Sequence, residues 1–423
     1  MSETVVADSA GTRVRTRRSR SVRVVRIVLT VVVVLVAVFY VGGGAYLAGV
    51  LHTDLVVAPH PEGIDDLRIS PVGTDRLALE ADPAVKTTVA PLARARSSST
   101  YGVVWKGGFG QVSGPAISDR DGRLVKSFKI LAGSPPAAGV ASHLVDYAFP
   151  PDDPSIALGS RVSQVDIRSA PGVFPASLAM PADQGPAGAG STWAVLVHGQ
   201  SDTRTDMFRM MQSTLAENMP SLAITYLNDD GVPQTSDRLS MAGKTEWMQV
   251  AAAVRYAGSH GATHVVLFGN SMGGGIVASY LRHRAAGDEA ASGIPVSGVV
   301  LDSPMLDLRA TVDYQASLFP FPLFGHPPAS LVWVGTTFAR WRYGFDWTSD
   351  DYLDGASWVK EPVLIMHGTA DTSVPLATSE RLAAEHPALV TLHRVRGAGH
   401  VESWNTDPAR YRAIVGAFLR AHS

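Results

Sequence analysis

The feature that most constrains this chain is an uncharged, apolar run at residues 27–51, close to its N-terminus. At about 1.5 Å per residue, a helix over this run exceeds the ~30 Å hydrocarbon core of a bilayer. The preceding residues 1–26 contain seven arginines and two acidic residues. Positive residues stay on the cytoplasmic side of a membrane. We therefore predict a single transmembrane helix at 27–51, a basic cytoplasmic tail at 1–26, and an extracytoplasmic remainder.

Two alternatives compete with an uncleaved anchor. A buried core helix would need neither this length nor the one-sided arginine cluster. A cleaved signal peptide would have a shorter apolar region, and only residues 45–48 offer a loosely permissive cleavage site. We therefore predict an uncleaved single-pass anchor in the cell membrane. Gly44 and Ala48 form a small-xxx-small pair that would let two anchors pack closely, so an anchor-mediated dimer is also expected.

Charge and composition exclude several classes of function. The whole chain has a net charge of −2, so the residues after the basic tail are acidic and offer no footprint for nucleic acid. The absence of cysteine excludes disulfides, thiolate metal sites and a cysteine nucleophile. The histidines lack metal-ligand spacing such as HExxH, and the glycine-rich residues 100–112 lack phosphate-loop spacing. We expect neither a metal nor a cofactor.

The chain beyond the apolar run divides into two parts. Residues 52–161 are rich in Pro and Gly and are predicted to be a linker and a small β-containing region, with a tight hairpin turn at Gly107 and Gly108. From residue 162 short β-rich runs alternate with helical segments such as 244–257 and 407–421, which is typical of a mostly parallel sheet with helices on both faces. The predicted strands lie near residues 162–167, 176–180, 193–197, 222–226, 264–268, 296–301, 363–366 and 390–395.

One strand of this series runs directly into a glycine-flanked serine. Residues 263–275 read THVVLFGNSMGGG, so Ser271 occupies the centre of a G-x-S-x-G pattern between an apolar strand and a helical stretch. The pattern alone is weakly specific, but this context is that of a nucleophile elbow, where glycines permit a sharp turn that exposes the serine hydroxyl. Ser271 is the candidate nucleophile.

A serine hydroxyl becomes an effective nucleophile when a histidine takes its proton and an acid orients that histidine. Asp371 follows a predicted strand in VLIMHGTADTSVP, and His400 follows the next strand in VRGAGHVESW. The order Ser, Asp, His is that of the α/β-hydrolase fold. Asp302 also ends a strand and is the main rival to Asp371 as the acid. His198 and His367, which precede glycines at strand ends, are interpreted as structural.

With these motifs in place, residues 162–423 resemble the α/β-hydrolase superfamily, and within it bacterial esterase-like and prolyl-oligopeptidase-like members. The resemblance implies an oxyanion hole formed by two backbone N–H groups. One would come from Met272, after the nucleophile, and the other from Gln200 in WAVLVHGQSDTR. The implied fold class is α/β, an α/β-hydrolase domain preceded by one transmembrane helix and a small β-containing region.

A long insertion interrupts this domain at about residues 302–360. It contains a large share of the chain's aromatic residues: Tyr314, Phe319, Phe321, Phe324, Trp333, Phe338, Trp341, Tyr343, Phe345, Trp347, Tyr352 and Trp358. We predict a helical cap that packs its own core over the sheet and also forms an apolar lid favouring a hydrophobic substrate. Four prolines, at positions 320, 322, 327 and 328, argue against a second membrane span.

The sequence supports two classes of function. The first is a serine hydrolase that cleaves an ester, thioester or amide through an acyl-enzyme, acting on a small acyl substrate or a short peptide. An ester is favoured over a peptide, since the region before residue 162 is too short for the propeller of a prolyl-oligopeptidase-like enzyme. The second is a membrane-tethered binding protein that keeps the fold without turnover.

Overall fold

A computed structural model describes residues 15–57, 63–86, 92–181, 191–321 and 325–422, with side chains from Val22 onward. Residues 1–14 of the predicted basic tail, parts of the predicted linker, and Pro322 and Phe324 of the predicted cap lie outside this part of the chain. The described residues belong to two units. The helical unit comprises residues up to Thr53 together with Pro320–Phe345, and the larger unit contains Asp54–Phe319 and Asp346–Ser423.

The helical unit contains two long helices. Helix α1 spans Arg15–Leu55 and therefore extends beyond both ends of the predicted transmembrane run. Its portion Val22–Leu55 is long and apolar enough to cross a membrane, and none of its most apolar window is buried. The second helix, Ala329–Tyr343, comes from the predicted cap insertion.

The larger unit begins with a small closed barrel. Its strands are β1 (Leu67–Val72), β2 (Arg76–Ala81), β3 (Tyr101–Trp105), β4 (Gly108–Ser118), β5 (Leu124–Gly133) and β6 (Val140–Val145). All neighbouring strands are antiparallel, in the order β1-β2-β5-β4-β3-β6. A short helix, α2 (Ala93–Arg96), lies between β2 and β3. Closure into a barrel leaves no free sheet edge.

The predicted hairpin within this barrel is confirmed, with its turn one residue earlier than predicted. Strands β3 and β4 pair with Trp105 opposite Gly108, so that Lys106 and Gly107 form the turn. Gly107 has a φ of +90°, which a residue with a side chain rarely adopts. A Cβ at Gly108 would lie 2.3 Å from the Trp105 ring, so this position also requires glycine.

The predicted mostly parallel sheet is also confirmed. Its eight strands are β7 (Arg161–Ser169), β8 (Gly172–Met180), β9 (Ser191–Val197), β10 (Ser221–Ile224), β11 (Ala262–Asn270), β12 (Val296–Asp302), β13 (Val363–Gly368) and β14 (Val390–Val395). Their order is β14-β13-β12-β11-β9-β10-β8-β7. All pairs are parallel except those of β8 with β7 and β10.

Helices connect these strands as the alternating pattern predicts. They are α3 (Ser155–Leu158), α4 (Phe208–Ala216), α5 (Trp247–Ser259), α6 (Met272–Ala285), α7 (Leu308–Leu318), α8 (Ala329–Tyr343), α9 (Leu376–Glu385), α10 (Ser403–Thr406) and α11 (Pro408–His422), with short 3-10 turns at Arg204–Met207 and Glu289–Ala291. Buried apolar residues of β9, β11, β12 and β13 join those of α4 and α11 in one core. This core holds the carboxyl ends of the parallel strands in place.

Candidate active site

Ser271 lies at the sharp turn between β11 and α6. Its φ of 50° and ψ of −121° fall in a region that residues with side chains rarely occupy, so the backbone is strained here. Hydrogen bonds on both sides hold the turn. The Ser271 N–H donates to the Asp302 carbonyl oxygen, and the Ser271 carbonyl oxygen accepts from the Met305 N–H, each at 2.9 Å.

Both glycines of the predicted elbow are sterically required. A Cβ at Gly269 would lie 2.6 Å from the carbonyl oxygen of Gly273, and a Cβ at Gly273 would lie 2.2 Å from that of Val197. Each distance is far below van der Waals contact with a backbone atom that cannot move aside. The local pattern G-x-S-x-G is therefore a consequence of how tightly α6 approaches β9 and β11.

The structure brings Ser271, His400 and Asp371 together. His400 Nε2 lies 2.8 Å from Ser271 Oγ, and His400 Nδ1 lies 2.8 Å from Asp371 Oδ2. The three residues come from the turns after β11, β14 and β13, respectively. A histidine placed between a hydroxyl and a carboxylate in this way can accept the hydroxyl proton while the carboxylate stabilises the resulting imidazolium.

Asp371 is buried but remains ionised. Its Oδ1 accepts the backbone N–H groups of Ser373 and Val374, at 2.8 and 2.9 Å. Its Oδ2 faces His367 Nε2 at 3.4 Å as well as His400. Burial opposes ionisation, but the hydrogen bonds from His367 and His400 outweigh it and hold the pKa of the Asp371 carboxyl well below its usual range. His367, interpreted as structural from the sequence, therefore supports the acid.

Asp302, the rival acid, has different partners. Its Oδ1 accepts a hydrogen bond from the Ser403 hydroxyl at 2.8 Å, and its Oδ2 is buried with no hydrogen-bond partner among the described residues. Burial raises the pKa of this carboxyl to about 6. The side chain of Asp302 supports the start of α10, and its carbonyl oxygen holds Ser271.

The predicted oxyanion donors belong to two separate segments next to the nucleophile. Met272 begins α6, so its N–H is one of the helix's unpaired N-terminal donors. Gln200 follows Gly199, where a Cβ would lie 3.2 Å from Ser271 Cβ. The Gln200 side chain donates a hydrogen bond to the Asp54 carbonyl oxygen at 2.5 Å. The backbone after β9 therefore passes directly beside the serine.

Two side chains fix the peptide between Gly199 and Gln200. The Gly199 carbonyl oxygen accepts hydrogen bonds from the Tyr226 hydroxyl at 2.7 Å and from His198 Nδ1 at 2.8 Å. Because the C=O and N–H of a planar trans peptide point in opposite directions, these bonds also orient the Gln200 N–H. The Tyr226 and His198 rings stack with centroids 4.3 Å apart.

His198, which lies between Gly199 and Asp229, carries a positive charge. Its Nε2 lies 2.9 Å from Asp229 Oδ2, and the ring is fully buried. Burial lowers the pKa of an imidazole, but the charge of Asp229 and its hydrogen bond overcome this effect and raise the pKa of His198 to about 9. Both ring nitrogens therefore donate hydrogen bonds at neutral pH, which strengthens the hold on Gly199.

The barrel contacts the loop that carries His400. The Tyr101 hydroxyl of β3 donates to Glu402 Oε1 at 3.0 Å, and Glu402 Oε2 accepts the Gly399 N–H at 3.2 Å. Asn405, three residues further along, donates to the Thr100 carbonyl oxygen at 2.8 Å. These bonds join the barrel to residues that follow His400, and Glu402 links this contact to Gly399 on the other side of the histidine.

A second support reaches the acid from α7. The Tyr314 hydroxyl donates to the Asp371 carbonyl oxygen at 2.8 Å, and the Gln315 amide donates to the Ser373 carbonyl oxygen at 3.0 Å. Sequence reasoning missed Tyr101, Tyr226 and Tyr314 as site residues. Each acts through a contact that is distant in sequence, and none belongs to a local motif that could have identified it.

Across the described ranges, no three His, Cys, Asp or Glu side chains are grouped as metal ligands.

Comparison with known proteins identifies relatives of this chain. A family model described as the alpha/beta hydrolase family matches residues 194–414, which contain Ser271, His400, Asp371 and both predicted oxyanion donors. A bifunctional esterase/perhydrolase from Acinetobacter calcoaceticus is 28% identical over 32% of this chain. The chain spans 59% of the length of that curated relative.

Solved structures of esterases also resemble the chain. The esterase Pf2001 from Pyrococcus furiosus aligns with 65% of this chain and 99% of its own, at 18% identity and a TM-score of 0.47. A thermostable esterase from Pseudomonas putida aligns with 62% of this chain and 83% of its own, at 18% identity and a TM-score of 0.44.

Proposed function

The chain belongs to the alpha/beta hydrolase family, and from this premise we propose that it is a serine carboxylic ester hydrolase with Ser271, His400 and Asp371 as its catalytic triad. The observation that carries the proposal is the continuous hydrogen-bond path from Ser271 Oγ through His400 to Asp371, with 2.8 Å at each step. The family and its esterase relative support an esterase-like hydrolase.

In the proposed acylation step, Ser271 Oγ attacks the ester carbonyl carbon and its proton passes to His400 Nε2. The carbonyl oxygen becomes negative and is stabilised by the backbone N–H groups of Gln200 and Met272. His400 then gives its proton to the leaving alkoxide, and the acyl group remains on Ser271. Asp371 stays ionised throughout and stabilises the imidazolium.

Deacylation repeats these roles with water. His400 takes a proton from water, the hydroxide attacks the acyl carbon, and the proton returns to Ser271 Oγ as the acid leaves. The same chemistry would act on a thioester or an amide. A prolyl-oligopeptidase-like peptidase is the nearest alternative, but the named relative is an esterase and the first domain of the larger unit is a single barrel. A binding protein without turnover is less consistent with the hydrogen-bonded triad geometry.

We further propose that α1 anchors the protein in the cell membrane as a single-pass span, with the N-terminus cytoplasmic and the catalytic domain outside. Its length and its arginine-rich start support this arrangement. Because the chain lacks cysteine, single cysteines report sidedness cleanly. An Ile156→Cys variant should react with an impermeant maleimide in intact cells, whereas a Ser19→Cys variant should react only after permeabilisation. The reverse labelling pattern would contradict the orientation.

Fluorophosphonate labelling of the detergent-solubilised full chain tests the catalytic proposal. The reagent reacts with an activated serine and does not require the natural substrate. We expect labelling of the wild-type protein, none of Ser271→Ala, and normal labelling of the matched control Ser259→Ala, whose serine is exposed on α5. Hydrolysis of p-nitrophenyl esters should follow the same order. A folded wild-type protein that neither labels nor hydrolyses these esters would favour the binding function.

A further inference from the structure

Helix α8 of the insertion lies along α1 inside the helical unit. Tyr40 and Ser330 are joined through their hydroxyl oxygens by a hydrogen bond of 2.9 Å. A Cβ added at Gly44 would lie 2.5 Å from a methyl carbon of Val334. At the other end, the rings of His52 and Tyr343 stack with centroids 4.1 Å apart. The contact therefore runs along most of α8.

The two backbones approach closely because small residues line the contact. A Cβ at Gly335 of α8 would lie 2.8 Å from Leu47 Cβ, and a Cβ at Gly43 would lie 3.0 Å from Leu331. Gly44 and Ala48, the pair noted in the sequence for helix packing, are both buried. Small residues at such a seam are typical of helices that pack within a membrane.

The order of these contacts shows that the helices are parallel and fixes the depth of α8. The start of α8 lies level with Tyr40 and its end lies level with His52. Leu51 ends the apolar run, and Tyr40 lies about 17 Å before it along the helix axis at about 1.5 Å per residue. This distance is roughly half of the ~30 Å hydrocarbon core. If α1 spans the bilayer, α8 reaches from the middle of the bilayer to its outer surface.

We propose that the described residues of Pro320–Phe345 form a re-entrant segment in the outer leaflet of the membrane, with α8 in contact with lipid. The inference rests on the proposed anchor, since it takes its depth from α1. It modifies the prediction of a cap, because it places the middle part of the aromatic insertion in lipid and identifies the bilayer as the partner of this surface.

The residues of α8 match the depth that the contacts assign. No charged side chain occurs before Arg340, and Arg340 and Arg342 both lie in the last turn. Trp333, in the first half of the helix, is 61% exposed, and Trp341, between the two arginines, is 82% exposed. Exposed tryptophan among arginines at the outer end is typical of the lipid headgroup region, while an exposed tryptophan nearer the middle needs an apolar surrounding.

The segment that leads into α8 also fits this setting. Pro320, Pro327 and Pro328 have no backbone N–H, which reduces the number of donors that would lack a partner in hydrocarbon. The N–H of Phe321 donates to the Gly325 carbonyl oxygen at 2.9 Å, and the Phe321 ring packs edge-on against Phe39 of α1. A lipid occupant is favoured over a soluble partner because this surface continues the exposed apolar surface of α1.

The cysteine-free chain allows a direct test of depth. Full-length Trp333→Cys, Thr337→Cys and Trp341→Cys variants would be labelled with a bimane maleimide and reconstituted in phosphatidylcholine/phosphatidylglycerol vesicles. Vesicles would contain lipids with a nitroxide at the headgroup or at mid-chain. Val33→Cys in the apolar part of α1 is the membrane control, and Ile156→Cys, at an 84% exposed position of the larger unit, is the water control. Thr337 is an exposed, smaller side chain on α8, so its replacement tests the result independently of a lost tryptophan.

We expect the mid-chain nitroxide to quench the Trp333→Cys label at least as strongly as the Val33→Cys label. The headgroup nitroxide should quench the Trp341→Cys label most strongly. For both nitroxides, quenching of the Thr337→Cys label should be intermediate between that of the Trp333→Cys and Trp341→Cys labels. The inference fails if the α8 labels behave like Ile156→Cys while Val33→Cys is quenched, a result that leaves the anchor intact. If Val33→Cys is unquenched, the anchor itself is wrong. Cysteines that are shielded from aqueous thiol reagents before labelling, and whose bimane labels are not quenched by lipid, would indicate a protein partner and also overturn the proposal.

Discussion

At the scale of single residues, two aspartates at the same edge of the sheet have opposite properties. Asp371 receives several hydrogen bonds and its pKa is lowered, whereas one oxygen of Asp302 is buried without a partner among the described residues and its pKa is raised to about 6. A triad acid must be ionised when the histidine becomes charged. The difference in hydrogen bonding therefore favours Asp371 for this role.

A pair of matched substitutions tests this assignment. Asp371→Asn should lower kcat for ester hydrolysis by roughly 10⁴-fold, because the amide cannot stabilise the His400 imidazolium and favours the wrong tautomer. Asp302→Asn keeps the Ser403 hydrogen bond and should retain kcat near the wild-type value. Steady-state kinetics on one p-nitrophenyl ester measures both. A larger loss in Asp302→Asn than in Asp371→Asn would reverse the assignment.

The hydroxyl of Tyr226 allows a test of the proposed oxyanion loop. Tyr226→Phe removes one of two hydrogen bonds to the Gly199 carbonyl oxygen and leaves the stacked ring in place. A hydrogen bond of about 1 kcal/mol that holds the donor peptide should lower kcat by about fivefold, with little change in KM. Tyr280→Phe, at a buried tyrosine in α6, is the control. Equal effects of both substitutions on kcat would argue against a specific role for Tyr226.

At the scale of elements, the barrel contacts the loop that carries His400. Strand β3 places Tyr101 against Glu402, and Glu402 in turn bonds the backbone beside His400. Burial and the charge of Glu402 raise the pKa of Tyr101 to about 12, so its hydroxyl remains a donor at all working pH values. The domain before the hydrolase sheet thus supports the histidine loop as well as its own core.

A double-mutant cycle measures this support. Tyr101→Phe and Glu402→Gln should each lower the rate of fluorophosphonate labelling of Ser271 by a few-fold, because His400 is held less firmly. The double variant should be little worse than Glu402→Gln, giving a coupling free energy of about 1 kcal/mol. Strictly additive effects on the labelling rate would show that the contact does not influence the site. Thermal unfolding of each variant serves as the check on folding.

At the scale of the whole molecule, the buried carboxyl of Asp302 links stability to pH. Its pKa is 3.8 as an unperturbed group and about 6 in the folded protein. The folded state therefore binds more protons than the unfolded state between these values, and the contribution of Asp302 to the free energy of unfolding is lost as pH rises through about 6. At neutral pH the Asp302 carboxyl is ionised, and its burial then lowers the free energy of unfolding of the protein.

Asp302→Asn should therefore gain stability relative to the wild type as pH rises from about 4 to about 7. At about 1.4 kcal/mol per pKa unit, the relative gain in the free energy of unfolding should approach about 3 kcal/mol. Chemical denaturation in detergent at several pH values measures it. A difference between the two proteins that does not change with pH would contradict the raised pKa.

Much of the fold followed from local sequence patterns. The eight strands of the large sheet, the β3–β4 hairpin and the long apolar helix depend on the period and composition of short segments, so they can be read one segment at a time. The G-x-S-x-G turn and the order Ser, Asp, His likewise predicted which residues meet. The structure brings Ser271, His400 and Asp371 together, and their catalytic role remains our proposal.

Tertiary structure alone decided the remaining features, because each depends on residues far apart in the chain. Closure of the barrel requires β1 to meet β6, and no local pattern encodes that pairing. The preference for Asp371 over Asp302 arises from where hydrogen-bond donors lie after folding. The pairing of α8 with α1 joins segments separated by most of the chain, and the sequence identified Gly44 as a packing residue without identifying α8 as its partner. Local sequence patterns therefore predicted which segments form and which residues are candidates for the chemistry, whereas packing set the partners and supports of those residues.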